Sequence, residues 1–368
     1  MLDKFFKLSE HNTSIRQEVI AGFTTFLTMA YIIAVNPGIL AEAGMDKQAV
    51  ITVTALTTAF GTLLMGLWIN VPLAMAPGMG LNAFFAYTLV IGQGVTWQTA
   101  LGVVFISGIV FLLLASLGFR EKIVSAIPQS LRIAIPGGIG LFITFIGLQN
   151  MGLVVCSEAT LVTLGSMELP VILGLTGLAA TLVLEARNWQ GSILIGIIIT
   201  TLLGVLIGDI TMPESIVSAP PSLAPTVFQL DIAGALQWGL MGAIFSFMFV
   251  DLFDSVGTIV ACSYEAELVE EDGSINKISE MLGADAVATA VGALLGTSTT
   301  TTYTESASGI EQGGRTGLTA VIVSLLFLAA LVFTPLISIV PSYATAPASD
   351  RSGTLHVQKF KGYRIWPL

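Results

Sequence analysis

Apolar residues run along this chain in blocks of about twenty, the length one helix needs to cross a bilayer, with short polar stretches between them. The blocks predict helices near residues 17–36, 48–69, 71–91, 97–118, 131–153, 168–186, 190–208, 236–262, 278–296, 297–313 and 316–334. Two of them break the pattern. The third is interrupted by Pro72, Pro77, Gly78 and Gly80, and the tenth carries the run Thr299 to Thr302, then Tyr303 and Thr304. Proline removes a helix donor, and consecutive β-branched residues favour extended backbone, so each is expected to be a short extended piece feeding a half-helix. With the second half starting at the eighth segment, these two stand seven segments apart. An odd number of spans reverses orientation, which predicts repeats inverted in the membrane with a transporter's central site between the interrupted pair.

Polar residues inside the blocks carry the candidate chemistry. Gly296 to Gly314 places a cluster of hydroxyls, four glycines and the carboxylates Glu305 and Glu311 at membrane depth, which hydrocarbon tolerates only where protein or a polar cavity shields them. The eighth block holds Asp251 and Asp254, whose spacing of three puts them on one helical face. They either cap or orient neighbouring helices, or they serve a site. No lysine or arginine lies deep in any block, so these carboxyls must be protonated, hydrogen-bonded, or engaged with substrate or a coupling ion. A buried carboxyl can carry a proton inward, and when ionised it accepts two N–H groups from a planar heterocycle; Glu305 could do the same from the opposite half. Half-helix N-termini supply further N–H donors. Asn82 offers one donor group and one acceptor, or caps the half-helix after it. Phe84, Phe85 and Tyr303 could stack on a ring or simply pack. Glu311 falls near the cytoplasmic end and is set outside the site.

Composition removes other classes. Hydrophobic residues make up 54% of the 368 and charged residues 10%, and the mean hydropathy is +0.88, which places the chain among polytopic membrane proteins. The net charge of −10 owes much to a cluster at Glu265, Glu267, Glu270, Glu271 and Asp272, which reads as a solvated loop and gives no basis for a nucleic-acid partner. Lys4, Lys7, Arg16, Arg120, Lys122, Arg132, Arg187, Lys277 and Arg315 collect on one side and Lys47 alone on the other before residue 340, which predicts a cytoplasmic N-terminus in the cell membrane. Cys156 and Cys262 are isolated and read as packing residues, so neither a disulfide framework nor a metal site is expected. The N-terminus shows no signal-peptide pattern. A proline-rich loop from Ile210 to Gln229 separates the halves on the extracellular side. A membrane aspartyl protease needs two carboxyls facing each other from separate helices, whereas Asp251 and Asp254 share one, so no enzyme is expected.

Five separated motifs then appear in order: FFKL near the start, EVIAGFTTFLTMAYIIAVNP (Glu18 to Pro37), MAPGMGLNAFFAYT (Met75 to Thr88), FVDLFDSVGT (Phe249 to Thr258) and TTTTYTESASGIEQGGRTGLTA (Thr299 to Ala320). They resemble the AzgA-like purine permeases, a branch of the nucleobase-cation symporter group related to the uracil and xanthine permeases. The resemblance implies an all-α polytopic membrane fold of fourteen segments in two inverted seven-helix repeats, with discontinuous third and tenth segments. Carried onto this chain, a core domain comprises 1–130 and 236–334, a gate domain 131–210, a linker 211–235 and the start of segment twelve 335–348. The matching motif positions imply a substrate site of Asp254, with Asp251 one turn earlier, Glu305 and Asn82; Gly80, Thr304, Tyr303 and Phe84 are the further residues expected to line it. The implied activity is secondary active import of hypoxanthine, guanine or adenine by proton symport through Asp254 and Glu305, without cofactor, in a protein that could form a homodimer. A same-fold carrier of xanthine or uracil is the alternative; the carboxylates and the lack of a buried cation argue against an anion carrier. After Pro347 the sequence ASDRSGTLHVQKFKGYRIWPL departs from the family pattern, as an altered reading frame or a basic tail would. About 11–12 of the fourteen segments are therefore expected, with the gate incomplete and transport weakened or lost.

Overall fold

A computed structural model describes residues 2–116, 129–270 and 274–346; the expectations for the 349–368 tail, for Arg120 and Lys122, and for Glu271 and Asp272 lie outside them. In chain order the first unit contains α1 (Leu2–Phe6), α2 (Ile15–Met29), α3 (Ile32–Glu42), α4 (Lys47–Leu63, continued by wider π-type turns to Ile69), β1 (Met75–Pro77), α5 (Met79–Ala83, continued likewise to Gly92) and α6 (Trp97–Ser116). The second unit contributes α7 (Gln129–Asn150), β2 (Val154–Ser157), β3 (Leu161–Leu164), α8 (Leu169–Ala186) and α9 (Ser192–Ile207). The chain then returns to the first unit with α10 (Ile232–Ala235), α11 (Met241–Glu265), α12 (Ile278–Leu295), β4 (Thr300–Thr302), α13 (Ser306–Glu311) and α14 (Gly317–Ala330). The units comprise Met1–Ala126 with Ala219–Thr334, and Ile127–Ser218 with Pro335–Leu368.

Local chemistry sets the helix ends. Ser14, Asp46 and Thr316 each accept from a backbone N–H in the first turn of the helix they precede, and Gly296 closes α12 in the left-handed conformation at φ 104. The first span runs to Glu42 rather than to residue 36, and it is split at Ala30 and Tyr31. Pro37 lies inside α3, where its ring cannot donate to Ile33 and crowds the preceding turn, so the interruption falls just upstream. Seven helices among the described residues are long and apolar enough to cross a membrane, and large apolar side chains such as Trp68, Leu113, Leu206 and Phe245 remain exposed, as lipid-facing surface would be.

The third and tenth segments have the expected strand-then-helix form. Their strands also pair with each other, which the sequence did not reveal. β1 and β4 are antiparallel, with Met75 opposite Thr302, Ala76 opposite Thr301 and Pro77 opposite Thr300. The ladder is extended by Gly78 N donating to Thr299 O at 3.0 Å and Tyr303 N to Ala74 O at 2.9 Å. Antiparallel meeting of two like elements is what a twofold axis in the membrane plane produces. The protein is an all-α polytopic membrane protein built on inverted repeats, with these short strands at its centre.

One reading needs correction. Cys156 is not a packing residue: it is exposed on β2, within a hairpin over residues 154–164 where the hydropathy pattern marked no element, while Cys262 is buried in α11. Within the second unit, α8 and α9 approach closely, because a Cβ on Gly196 would collide with the Thr181 hydroxyl, and Tyr343 donates to Asp209 Oδ2 at 2.5 Å.

Candidate functional site

A two-stranded ribbon in an apolar interior leaves two outer edges of unpaired backbone, each group costing several kcal/mol if left alone. One threonine closes each edge. Thr62 of α4 accepts from Met75 N at 3.0 Å and donates to Met75 O at 3.1 Å; Thr289 of α12 accepts from Thr300 N and reaches Thr300 O, both at 3.1 Å. The two threonines lie on the second and ninth spans, seven apart, so the repeat extends to the hydroxyl that finishes each strand. The Thr297 to Thr302 run is consequently buried, at 0–2% exposure. It is the sealed scaffold of the crossing.

On the first-repeat side, Asn82 follows Gly78, the residue that caps α5, so it is not itself the cap. It is fully buried. Its amide donates to Asn36 Oδ1 at 2.6 Å and its carbonyl accepts from Ser298 Oγ; Asn36 Nδ2 in turn donates to Thr54 Oγ1 at 2.7 Å and Thr297 Oγ1 at 3.0 Å. This network ties segments one, two, three and ten. Phe84 packs edge-on against Phe247 at a centroid distance of 5.1 Å, and Phe85 is fully buried. Gly80 is half-buried.

On the other side stand the carboxylates. Asp251 is buried and accepts from Thr289 Oγ1 at 3.1 Å; its other oxygen has no hydrogen-bond partner among the described residues. Asp254, one turn on, is half-buried. A further intramembrane acid, Asp285 of α12, was overlooked in the sequence although it stands out by the same rule, a carboxyl deep within an apolar span whose other acid, Glu280, lies in the first turn. It is fully buried, accepts from Thr302 Oγ1 at 3.2 Å, and interacts with Asp251 and Asp254 electrostatically. Tyr303 is buried and donates to Pro77 O at 2.6 Å, bracing the ribbon, while its ring lies within electrostatic reach of Glu305 and Asp254.

Glu305 heads α13 and is half-buried. Tyr31 donates to its Oε1 at 2.6 Å, and Thr304 Oγ1 lies 3.3 Å from Oε2. α13 rests directly on α2, since a Cβ on Gly309 would meet the Thr25 hydroxyl and, at 2.7 Å, the Ala21 carbonyl. Glu311, by contrast, is exposed at the far end of α13. A second acid the sequence reading passed over, Glu18, is fully buried and belongs to the framework: it accepts from Arg315 N, Thr316 N, Thr319 N and Thr319 Oγ1, closing the start of α14. No group of three or more metal-ligating side chains occurs among the described residues.

A model of the Permease family (Xan_ur_permease) matches residues 16–355. Adenine permease AdeP of Escherichia coli is 48% identical over 96% of this chain and 80% of its own length, and guanine/hypoxanthine permease PbuG of Bacillus subtilis is 44% identical over 96% and 83%. Among solved structures, the transmembrane domain of the cyanobacterium bicarbonate transporter BicA superposes with a TM-score of 0.72 over 96% of this chain and 91% of that one, at 17% identity, which speaks for the fold alone. Membrane-crossing helices, an inverted pair of strand-and-half-helix segments and these relatives agree: the chain belongs to the Permease family, in its AzgA-like purine permease branch, and is a transport protein rather than an enzyme.

Proposed function

We propose that the protein is a secondary active transporter importing purine nucleobases (hypoxanthine, guanine or adenine) across the cell membrane with a proton, its N-terminus cytoplasmic. One observation carries the assignment of the site. Around the crossing, the hydroxyl block, Asn82, Asn36, Asp251, Asp285 and Tyr303 are buried in protein, whereas Glu305, Thr304, Asp254, Gly80 and Phe84 stay partly accessible. The accessible set combines two carboxylates with an aromatic face and bare backbone. A planar base with ring N–H groups and carbonyl or ring-nitrogen acceptors complements such a set. The names of the relatives, adenine permease and guanine/hypoxanthine permease, favour purines within that class.

Glu305 is the principal base ligand in this reading and Asp254 the second, with Thr304, Gly80 and Phe84 around the ring and Asp251, Asn82 and Tyr303 holding the frame. Proton coupling follows from what holds Glu305. Its hydrogen bonds come from the hydroxyls of Tyr31 and Thr304, so the carboxyl can gain or lose a proton without breaking an ion pair. The unit Met1–Ala126 with Ala219–Thr334 then carries the substrate, and the other unit serves as the gate.

The test is competitive uptake of labelled hypoxanthine against all common nucleobases at two pH values, for the unmodified chain and Glu305→Ala, with binding to purified protein read alongside. Purine-selective competition for binding and loss of binding in Glu305→Ala with unchanged membrane insertion are expected, and whatever accumulation occurs should be greater at the lower external pH. Wild-type binding by Glu305→Ala would remove the assignment.

A further inference from the structure

Tyr31 occupies the break in the first span, between α2 and α3, and its side chain is 2% exposed. A buried phenol needs a partner, and this one donates to Glu305 Oε1 at 2.6 Å, a short charge-assisted contact. Among the described residues that carboxylate's one other donor, the Thr304 hydroxyl, stands 3.3 Å from Oε2. The two oxygens are therefore unequal: Oε1 is committed to the protein, and Oε2 is weakly held. The arrangement is fixed from behind, because Gly309, one turn after Glu305, lets α13 lie on the α2 backbone at Ala21 and Thr25, and any side chain there would lift Glu305 away from Tyr31.

We infer that Tyr31 is a specificity-determining residue: by competing for Oε1 of Glu305 it makes that carboxylate favour one N–H of a bound base over two. This rests on Glu305 being a base ligand, as proposed above. The chemistry distinguishes two closely related purines. Hypoxanthine presents N1–H as a single donor on its pyrimidine edge, whereas guanine presents N1–H beside an exocyclic amino group, a pair spaced to engage both oxygens of one carboxylate. With the phenol already on Oε1, guanine's second donor must share that oxygen with it, and the contact it makes there is weakened. Removing the hydroxyl frees it, and the gain falls to guanine alone.

The experiment is equilibrium binding of hypoxanthine and of guanine to the purified chain, comparing wild type with Tyr31→Phe, which keeps the ring and removes one oxygen. The ratio of the two Kd values should move about tenfold in favour of guanine, the effect of one hydrogen bond to a charged group. A ratio that stays within about twofold of wild type overturns the inference, and so does an equal weakening of both bases, which is what a purely structural role would give. Tyr31→Leu also lacks the donor and must shift the ratio the same way, which keeps the test open if Tyr31→Phe does not accumulate. Glu305→Gln separates the two levels. If it binds both bases as wild type does, the reading of Glu305 and this inference fall together. If it loses binding while Tyr31→Phe leaves the ratio unchanged, only the role of Tyr31 falls.

Discussion

The two sides of the central crossing share a frame and differ in charge. Each supplies a three-residue strand, a half-helix and a threonine that completes the strand's outer edge, Thr62 for β1 and Thr289 for β4. Yet the β1 side carries amides, Asn36 and Asn82, that bond to each other and to hydroxyls, while the β4 side carries Glu305, Asp251, Asp254 and Asp285, of which Asp251 and Asp285 each have an oxygen with no hydrogen-bond partner among the described residues. Symmetric backbone with asymmetric side chains separates two tasks. The frame must be satisfied everywhere because lipid offers no hydrogen bonds, so the same demand falls on both repeats. Recognition needs only one ionisable surface, and a second facing it would add repulsion.

The largest effect should come from breaking that asymmetry at its accessible point. Glu305→Gln is expected to weaken purine binding about a hundredfold, equivalent to about 2.7 kcal/mol, with little change in thermal denaturation; equilibrium binding and melting in detergent read the two separately. Asn82→Ala should do the reverse. It strands the Asn36 carbonyl and the Ser298 hydroxyl, so stability should fall by about 1–3 kcal/mol while the folded fraction binds purine within a few-fold of wild type; a hundredfold loss of binding would place Asn82 on the substrate instead.

The frame itself is tested by a matched pair. Thr62→Val and Thr289→Val each remove a hydroxyl that serves both the N–H and the C=O of one strand residue, and each should cost about 1–2 kcal/mol in unfolding measurements. Thr289→Val should be the worse of the two, since Asp251 also loses its donor; a negligible cost for either would show that the edges are satisfied in another way. The smallest effect belongs to a site remote from the crossing. Asp46→Ala removes a side-chain cap donated to by Ala49 N at 2.8 Å and should cost about 1 kcal/mol with no change in binding affinity.

Much of this was legible in the chain. Apolar blocks of spanning length fixed the helices because lipid imposes that length, and the Pro-Gly and Thr-Thr-Thr-Thr interruptions announced where helix could not continue. Asp251, Asp254 and Glu305 stood out because a carboxyl in an apolar block is expensive. What escaped was pairwise. Nothing in MAP or TTT says that the two strands meet, since β pairing across two hundred residues leaves no periodic signal. Nor does a threonine in an apolar helix distinguish itself: Thr62 and Thr289 look like any β-branched residue until the strand edge beside them is seen. Tyr31 was hidden for the same reason, as an aromatic in an apolar run reads as packing until its hydroxyl finds Glu305. Asp285 alone could have been found by the rule already in use.

The ribbon also has a history written into its chain order. β1 finds Thr62 only thirteen residues away, so its outer edge can be closed soon after synthesis, but its inner edge answers to residues 299–303. At roughly 5–20 residues per second, translation spends on the order of ten seconds or more between the two strands. Throughout that interval an open strand edge is held in or beside the membrane with its lasting partner not yet made. Met75 to Pro77 therefore wait for the tenth segment before their inner edge can be closed, and the centre of this transporter is complete only when six residues from its two halves have met.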